Sequence, residues 1–322
     1  MPASQLYRRA HPAGATLAEW RTADALTLRS FAWPAAAGAR PRGSILFQTG
    51  RGDFFEKYLE LFAHWHGQGW GVTAFDWRGQ GGSGRLGGHA LTGHVERFED
   101  FVADLEAFAG GWASTAGGPQ VVVGHSMGGH LVLRALVERR IRPAAAVLVA
   151  PMLGLKSPVG ELGGALLARM MARLGAPDRP AWKANETPLA RADRQELLTF
   201  DDSRYADEIW WHETRPDLVT GPPSWRWVAQ AFESTRAVAR DPRLPTMDVP
   251  VLALVADADR LVDPAAAARV LARLPDVEVE HFGAESRHEI LREADPVRGH
   301  AVALIDAFLA ARAPAGQPAN PS

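Results

Sequence analysis

The chain opens with two stretches of alternating apolar and polar residues, Thr16 to Trp20 and Leu26 to Trp33, on either side of a Thr22-Ala23-Asp24 break. Side chains of a strand point alternately to its two faces, so this pattern predicts an antiparallel pair with one face in water. From residue 45 the period changes. Short apolar runs at Ile45 to Phe47, Gly71 to Phe75, Val121 to Val123 and Ala145 to Ala150 alternate with segments of helical spacing, the first of which repeats Phe55, Leu59 and Phe62. Strands that are apolar on both faces need cover on both, so this β-α-β-α-β-α rhythm predicts a doubly wound, mostly parallel sheet.

After Pro151 the rhythm stops. Residues 153 to 245 show no convincing strand, and their best helical segments are Glu161 to Leu174, Ser203 to Glu213 and Ser224 to Val238. Alternation resumes with Val249 to Ala256, a helix from Pro264 to Leu274, a strand from Val277 to Phe282 and a last helix from Pro296 to Ala310. The expected organisation is therefore a core of residues 1–152 and 246–312, a helical insertion at 153–245, and a frayed Pro- and Ala-rich tail at 313–322.

Composition narrows the function. Acidic residues number 37 and basic residues 35, so the electrostatic footprint that nucleic acid requires is missing. With no cysteine, disulfides, thiolate metal sites and a cysteine nucleophile are excluded together. No apolar run resembles a signal peptide or reaches the ~18 residues of a membrane span, which leads to the expectation of a soluble, cytoplasmic protein.

The candidate chemistry centres on Ser126 in VVVGHSMGGHLVL. Gly124 and Gly128 complete G-x-S-x-G directly after a strand and before a helix, the context of a nucleophile elbow. There a tight turn lifts the hydroxyl off the sheet edge, and side chains at the flanking positions would collide. An N-cap role for the serine would need neither glycine. A serine nucleophile requires a histidine base and an orienting acid, in the chain order serine, acid, histidine. His288, in the polar loop after the last strand, lies at the carboxyl edge where the elbow opens; His212, His281 and His300 fall in the insertion, a strand and a helix. Asp257, Asp259 and Asp263 follow the strand that ends at Ala256. Asp263, before Pro264, reads as an N-cap, and loop position favours Asp259 while leaving Asp257 open.

With TGRGDFFEKY, DWRGQGGSGR, GHSMGGH, ADRLVDP and SRHEIL in this order, the chain resembles the α/β-hydrolase superfamily over about residues 43 to 310. The branch it most resembles is that of bacterial lysophospholipases and monoacylglycerol lipases. The resemblance implies an α/β-hydrolase fold whose insertion is a cap over the site, with Ser126 as nucleophile, Asp259 as acid and His288 as base. It also implies that Ser224 in GPPSWRW replaces the threonine of the family's Pro-Thr-aromatic segment. Two departures stand out: Thr49-Gly50 replaces the His-Gly of many relatives, and Asp257 stands where small residues are usual. The oxyanion donors are backbone N–H groups, expected from Arg51 and Met127.

The expected substrate is a monoacyl lipid ester, met with or without a transient contact at a membrane surface, and hydrolysis needs no cofactor. Met170, Met171, Trp225 and Trp227 are the expected lining of an acyl pocket, although the tryptophans of the insertion would serve equally as its packing. Arg169 and Arg173, four apart, would meet a phosphate or simply face water. A short-chain carboxylesterase, lactonase or thioesterase, and a serine peptidase, would carry the same triad; a non-catalytic binding module usually lacks part of it. GQGGSG at 79–84 has the glycine spacing of a dinucleotide site but is followed by loop, so no nucleotide is expected. His64 and His66 point to different helix faces, and His89 and His94 have no carboxylate at recognisable spacing, so no metal is expected either.

Overall fold

The computed structural model describes residues 8–36, 41–182 and 191–316, the side chains of 191–193 excepted. Part of the expected tail, 317–322, and the first seven residues lie outside this range.

The two alternating segments form β1 (Thr16–Arg21) and β2 (Thr27–Trp33), paired antiparallel with Thr16 opposite Ala32. Then follow β3 (Gly43–Gln48), α1 (Leu59–Gly67), β4 (Trp70–Phe75), α2 (Phe98–Ala113), β5 (Gln120–His125), α3 (Met127–Val137) and β6 (Ala145–Val149). The insertion carries α4 (Gly160–Arg173), α5 (Arg191–Leu198), α6 (Asp202–Thr214) and α7 (Trp225–Arg240). The core closes with β7 (Val251–Ala256), α8 (Pro264–Leu271), β8 (Val277–Phe282) and α9 (Asp295–Arg312).

One sheet of eight strands runs in the order β1-β2-β4-β3-β5-β6-β7-β8. β2 meets β4 antiparallel, and every pairing from β4 to β8 is parallel. This is the α/β-hydrolase arrangement expected from the sequence. Its physical basis is plain in the central strands: every residue of β5, β6 and β7 is buried, because helices cover both faces. Phe62 and Trp65 of α1 share one apolar cluster with Ile305 and Phe308 of α9. Phe98, Leu131 and Val270 share the other with Trp227 and Phe232 of α7, so the insertion packs on the α3 face. The outer strands β1 and β8 are largely exposed and carry Glu19, Glu278 and Glu280, charges that discourage pairing with another sheet.

Three of the insertion's helices match the three expected segments, and α5 is additional. Its sequence, RADRQELL, has large apolar residues only at its last two positions, too few to mark a helical face.

Candidate active site

The turn after β5 is fixed by backbone crowding. Ser126 has φ 53° and ψ −115°, a conformation that non-glycine residues rarely adopt and that costs on the order of 1–3 kcal/mol. Its N–H donates to the Val149 carbonyl of β6 at 2.9 Å. A Cβ at Gly128 would lie 2.4 Å from the Thr49 carbonyl oxygen, and one at Gly124 would lie 2.7 Å from the Gly128 carbonyl carbon. Both glycines are therefore dictated by backbone contact between β3, β5 and α3. Ser126 occupies the cap position of α3, yet its hydroxyl makes no capping hydrogen bond. It is instead 2.8 Å from Nε2 of His288.

His288 lies in the loop after β8, and its Nδ1 is 2.5 Å from Oδ2 of Asp259. The other oxygen of Asp259 accepts the N–H groups of Leu261 and Val262 at 2.7 and 3.1 Å, which fixes the carboxylate toward the imidazole. All three side chains are buried. Burial alone would lower the His288 pKa, but the adjacent Asp259 carboxylate outweighs it and holds the imidazole above its ordinary value. Conversely, burial would raise Asp259, and the histidine together with the two N–H donors holds it below the usual carboxylate range. Asp257 turns away and pairs with exposed His281 at 2.8 Å, while Asp263 caps α8 by accepting the Ala265 N–H at 3.0 Å.

Gly50 packs against the serine: a Cβ there would be 3.2 Å from that of Ser126. Its N–H is used by Asp53, and that of Gly52 by Gln80, at 3.2 and 3.1 Å. Arg51 stands between them, and Met127 is the first residue of α3, whose opening N–H groups have no partner within the helix.

Ser126 and His288 open into a cavity of about 370 Å³. One wall is apolar, with Met152, Leu155, Leu198, Val262, Trp182 and Trp227. The rest of the lining includes a charged wall, with Arg51, Asp53, Lys57, Arg194 and Glu289. Lys57 is buried between Asp53, Glu208 and Glu289 at 2.6, 2.9 and 2.6 Å. Although burial opposes its charge, these three carboxylates push its pKa above the ordinary lysine value.

The expected acyl lining needs correction. Trp227 belongs to the cavity, but Met170, Met171 and Trp225 do not. Met170 is 48% exposed on the outer face of α4, and the Met171 carbonyl accepts from Arg179. Trp225 packs partly buried against the α7 cluster. Trp210 and Trp211 also pack elsewhere, near the chain's beginning: Arg9 lies over the Trp210 ring, and the Trp211 indole donates to the Arg8 carbonyl. The sequence offers Trp182 only as one of five tryptophans of the insertion, and it does not reveal the α5 residues or the charged wall.

The remaining motifs have structural occupations. In GQGGSG, a Cβ at Gly81 or Gly82 would strike Asp76 at 2.5 Å or Arg29 at 2.4 Å, so these glycines make room for a buried ion pair, and no helix opens there. His64 pairs with Asp306, and His66 stacks on Trp33. His94 bonds Ser224, which caps α7 by accepting the Trp227 N–H at 3.0 Å. Arg169 reaches exposed Glu233 at 3.6 Å.

Comparison with known proteins gives the family and the fold. The family model described as serine aminopeptidase, S33, matches residues 39–295. Lysophospholipase L2 of Escherichia coli strain K12 is 30% identical over 302 residues, covering 84% of this chain and 82% of that protein. A probable lysophospholipase L2 of Haemophilus influenzae is 28% identical over 272 residues, covering 83% and 84%. Among solved structures, a soluble variant of monoglyceride lipase from Saccharomyces cerevisiae superposes with a TM-score of 0.76 at 19% identity, covering 94% of this chain and 97% of that one. At that identity the likeness shows a shared fold.

Proposed function

The chain belongs to the serine aminopeptidase, S33, family of α/β-hydrolases, and on that premise we propose that it hydrolyses the ester of monoacyl lipids, lysophospholipid or monoacylglycerol, through Ser126, His288 and Asp259. The observation that carries this reading is the unbroken relay from the Ser126 hydroxyl to Nε2 of His288 and from Nδ1 to Asp259, facing a cavity with an apolar wall. His288 takes the hydroxyl proton as Oγ bonds to the ester carbon. The resulting oxyanion is held by the backbone N–H groups of Arg51 and Met127, and the proton then passes to the departing alcohol. Water, deprotonated by the same imidazole, attacks the acyl-enzyme; the fatty acid leaves and Oγ recovers its proton. Asp259 stabilises the imidazolium at each stage and stays ionised.

The family description names a peptidase and the curated relatives are lysophospholipases; the apolar part of the cavity lining supports the ester reading. Its apolar wall suits an alkyl chain, at ~0.8 kcal/mol for each buried methylene. Residues 153–245 act in this reading as a cap that excludes water from the chain. The outward stripe of α4, including Leu162 at 73% and Leu166 at 71% exposure, is then the surface that meets a lipid aggregate transiently. No helix among the described residues is long and apolar enough to cross a membrane.

The test is hydrolysis of lysophospholipids, monoacylglycerols, p-nitrophenyl esters and aminoacyl amides by the purified protein. Preference for long monoacyl esters supports the proposal. A maximum at acetate, or cleavage of the amides alone, contradicts it.

A further inference from the structure

We infer that Gln80 is a positioning residue for ester hydrolysis: its side-chain amide holds the peptide between Gly50 and Arg51 so that the Arg51 N–H is aimed at the oxyanion. The inference rests on the proposed role of that N–H as one of the two oxyanion donors, and adds what orients it. Gln80 lies in the loop after β4, between Gly79 and Gly81, whose φ angles of 77° and 52° belong to the left-handed region. The loop is tied through its own backbone, the Gln80 N–H donating to the Trp77 carbonyl at 3.2 Å and the Ser83 N–H to the Gln80 carbonyl at 3.1 Å. Gln80 is buried and does not line the cavity, so it acts through the backbone it touches and not on the substrate.

That backbone is the turn after β3. Nε2 of Gln80 donates to the Gly50 carbonyl at 2.6 Å and reaches the Asp53 backbone carbonyl at 3.5 Å, while Oε1 accepts the Gly52 N–H at 3.1 Å. The donor faces carbonyls and the acceptor faces an N–H, so the amide is satisfied in one orientation only. The Gly50 carbonyl and the Arg51 N–H are the two ends of one peptide plane. That peptide is trans, so the two bonds point in opposite directions, and a carbonyl pinned toward Gln80 fixes the direction of the N–H. The hold matters because Arg51 stands between two glycines, the residues with the widest choice of backbone conformation, and without it the plane can rotate. The bond to the Gly52 N–H secures the next peptide, on the far side of Arg51. Asp53 also braces the turn, but through the Gly50 N–H, which belongs to the preceding peptide. One residue earlier the same loop repeats the grip: the Trp77 indole donates to the Thr49 carbonyl at 2.9 Å, the oxygen that bars a side chain at Gly128. The loop after β4 thus sets the β3 turn against the elbow before substrate arrives, and a donor aimed in advance costs no reorganisation in the reaction.

The experiment measures kcat and KM for a p-nitrophenyl ester, and inhibition by an alkyl trifluoromethyl ketone and by its carbinol, in the wild type, Gln80→Met and Gln80→Glu. The ketone forms an adduct with Ser126 whose oxyanion takes the donor site; the carbinol has the same chain and forms none. Methionine keeps the length of glutamine without its hydrogen bonds, and glutamate keeps the shape but sets an acceptor against the Gly50 carbonyl. Both variants are expected to lower kcat about ten- to a hundredfold, as a small misplacement at a reacting centre does, to weaken the ketone in proportion to kcat/KM, and to leave KM and carbinol inhibition within about threefold. A turn held for stability alone would lose carbinol binding and kcat together. That result, or an unchanged kcat in the folded variants, overturns the inference. A crystal structure of the wild-type ketone adduct reads the same point without any variant: the Gln80 amide is expected on the Gly50 carbonyl and the oxyanion on the Arg51 N–H. A Gly50 carbonyl turned away from Gln80 overturns the positioning role, and an oxyanion held without Arg51 overturns the donor assignment as well. A wild type that hydrolyses no ester and forms no adduct overturns the reaction itself.

Discussion

The elbow and the insertion solve opposite problems within one molecule. At the elbow, backbone meets backbone: Gly128 lies under the Thr49 carbonyl, Gly124 under α3, and Ser126 keeps a strained φ because its N–H is tied to β6. In the insertion, backbone hydrogen bonds such as Ser224 N–H to the Gly93 carbonyl at 2.9 Å anchor the helix ends, but the helix faces pack through side chains, and α4 even turns Leu162, Leu166 and Met170 to the outside. A site whose geometry comes from backbone packing admits few residues at its key positions. Helix faces packed through side chains admit many.

Substitutions should separate the two regions sharply. Ser126→Ala is expected to lower kcat by about a millionfold, the scale seen when a serine nucleophile is removed from a triad, with the melting temperature preserved because the lost hydroxyl caps no helix N–H and alanine keeps the same Cβ at φ 53°. Asp259→Asn comes next, at up to about ten-thousandfold in kcat through the wrong histidine tautomer; Asp257→Asn should leave kcat near the wild type. The pH profile gives the sign. His288 serves as a base only when neutral, so kcat/KM falls as pH drops through its raised pKa, and removing the Asp259 charge leaves burial to lower that pKa and moves the acid limb to lower pH.

Gly128→Ala tests the elbow's packing without touching its chemistry. The added methyl has no space against Thr49, so a loss of about 1–3 kcal/mol or more is expected in chemical denaturation, together with loss of hydrolysis. Gly163→Ala in α4 should stabilise slightly if Val159, 3.1 Å from the added Cβ, yields. The smallest effects belong to the insertion. Each two carbons added to the acyl chain should raise kcat/KM roughly tenfold until the apolar wall is full. Trp227→Ala should flatten that rise, whereas Trp225→Ala, outside the cavity, should not. A rise indifferent to Trp227 would place the acyl chain elsewhere.

The same contrast explains what the sequence reveals. The strand rhythm, the helical interruption and the Gly-Ser-Gly elbow are legible because backbone geometry restricts residue type there. Position alone left Asp257 beside Asp259, since both follow β7; the difference lies in their partners, His281 and His288, which are distant in sequence. Met170 and Met171 were misplaced because helical periodicity reveals that α4 has two faces without saying which one turns inward. The charged wall was invisible for another reason: Asp53, Lys57, Arg194 and Glu289 come from three distant segments, and only folding brings them to one cavity.

The most direct test of the account is to locate the nucleophile. The purified protein, treated with a fluorophosphonate and digested, should carry one adduct on the peptide containing Ser126, with hydrolysis lost in proportion to labelling and no adduct in Ser126→Ala. Ester hydrolysis that persists in the fully labelled protein, or an adduct on another residue that accounts for the lost activity, would contradict it.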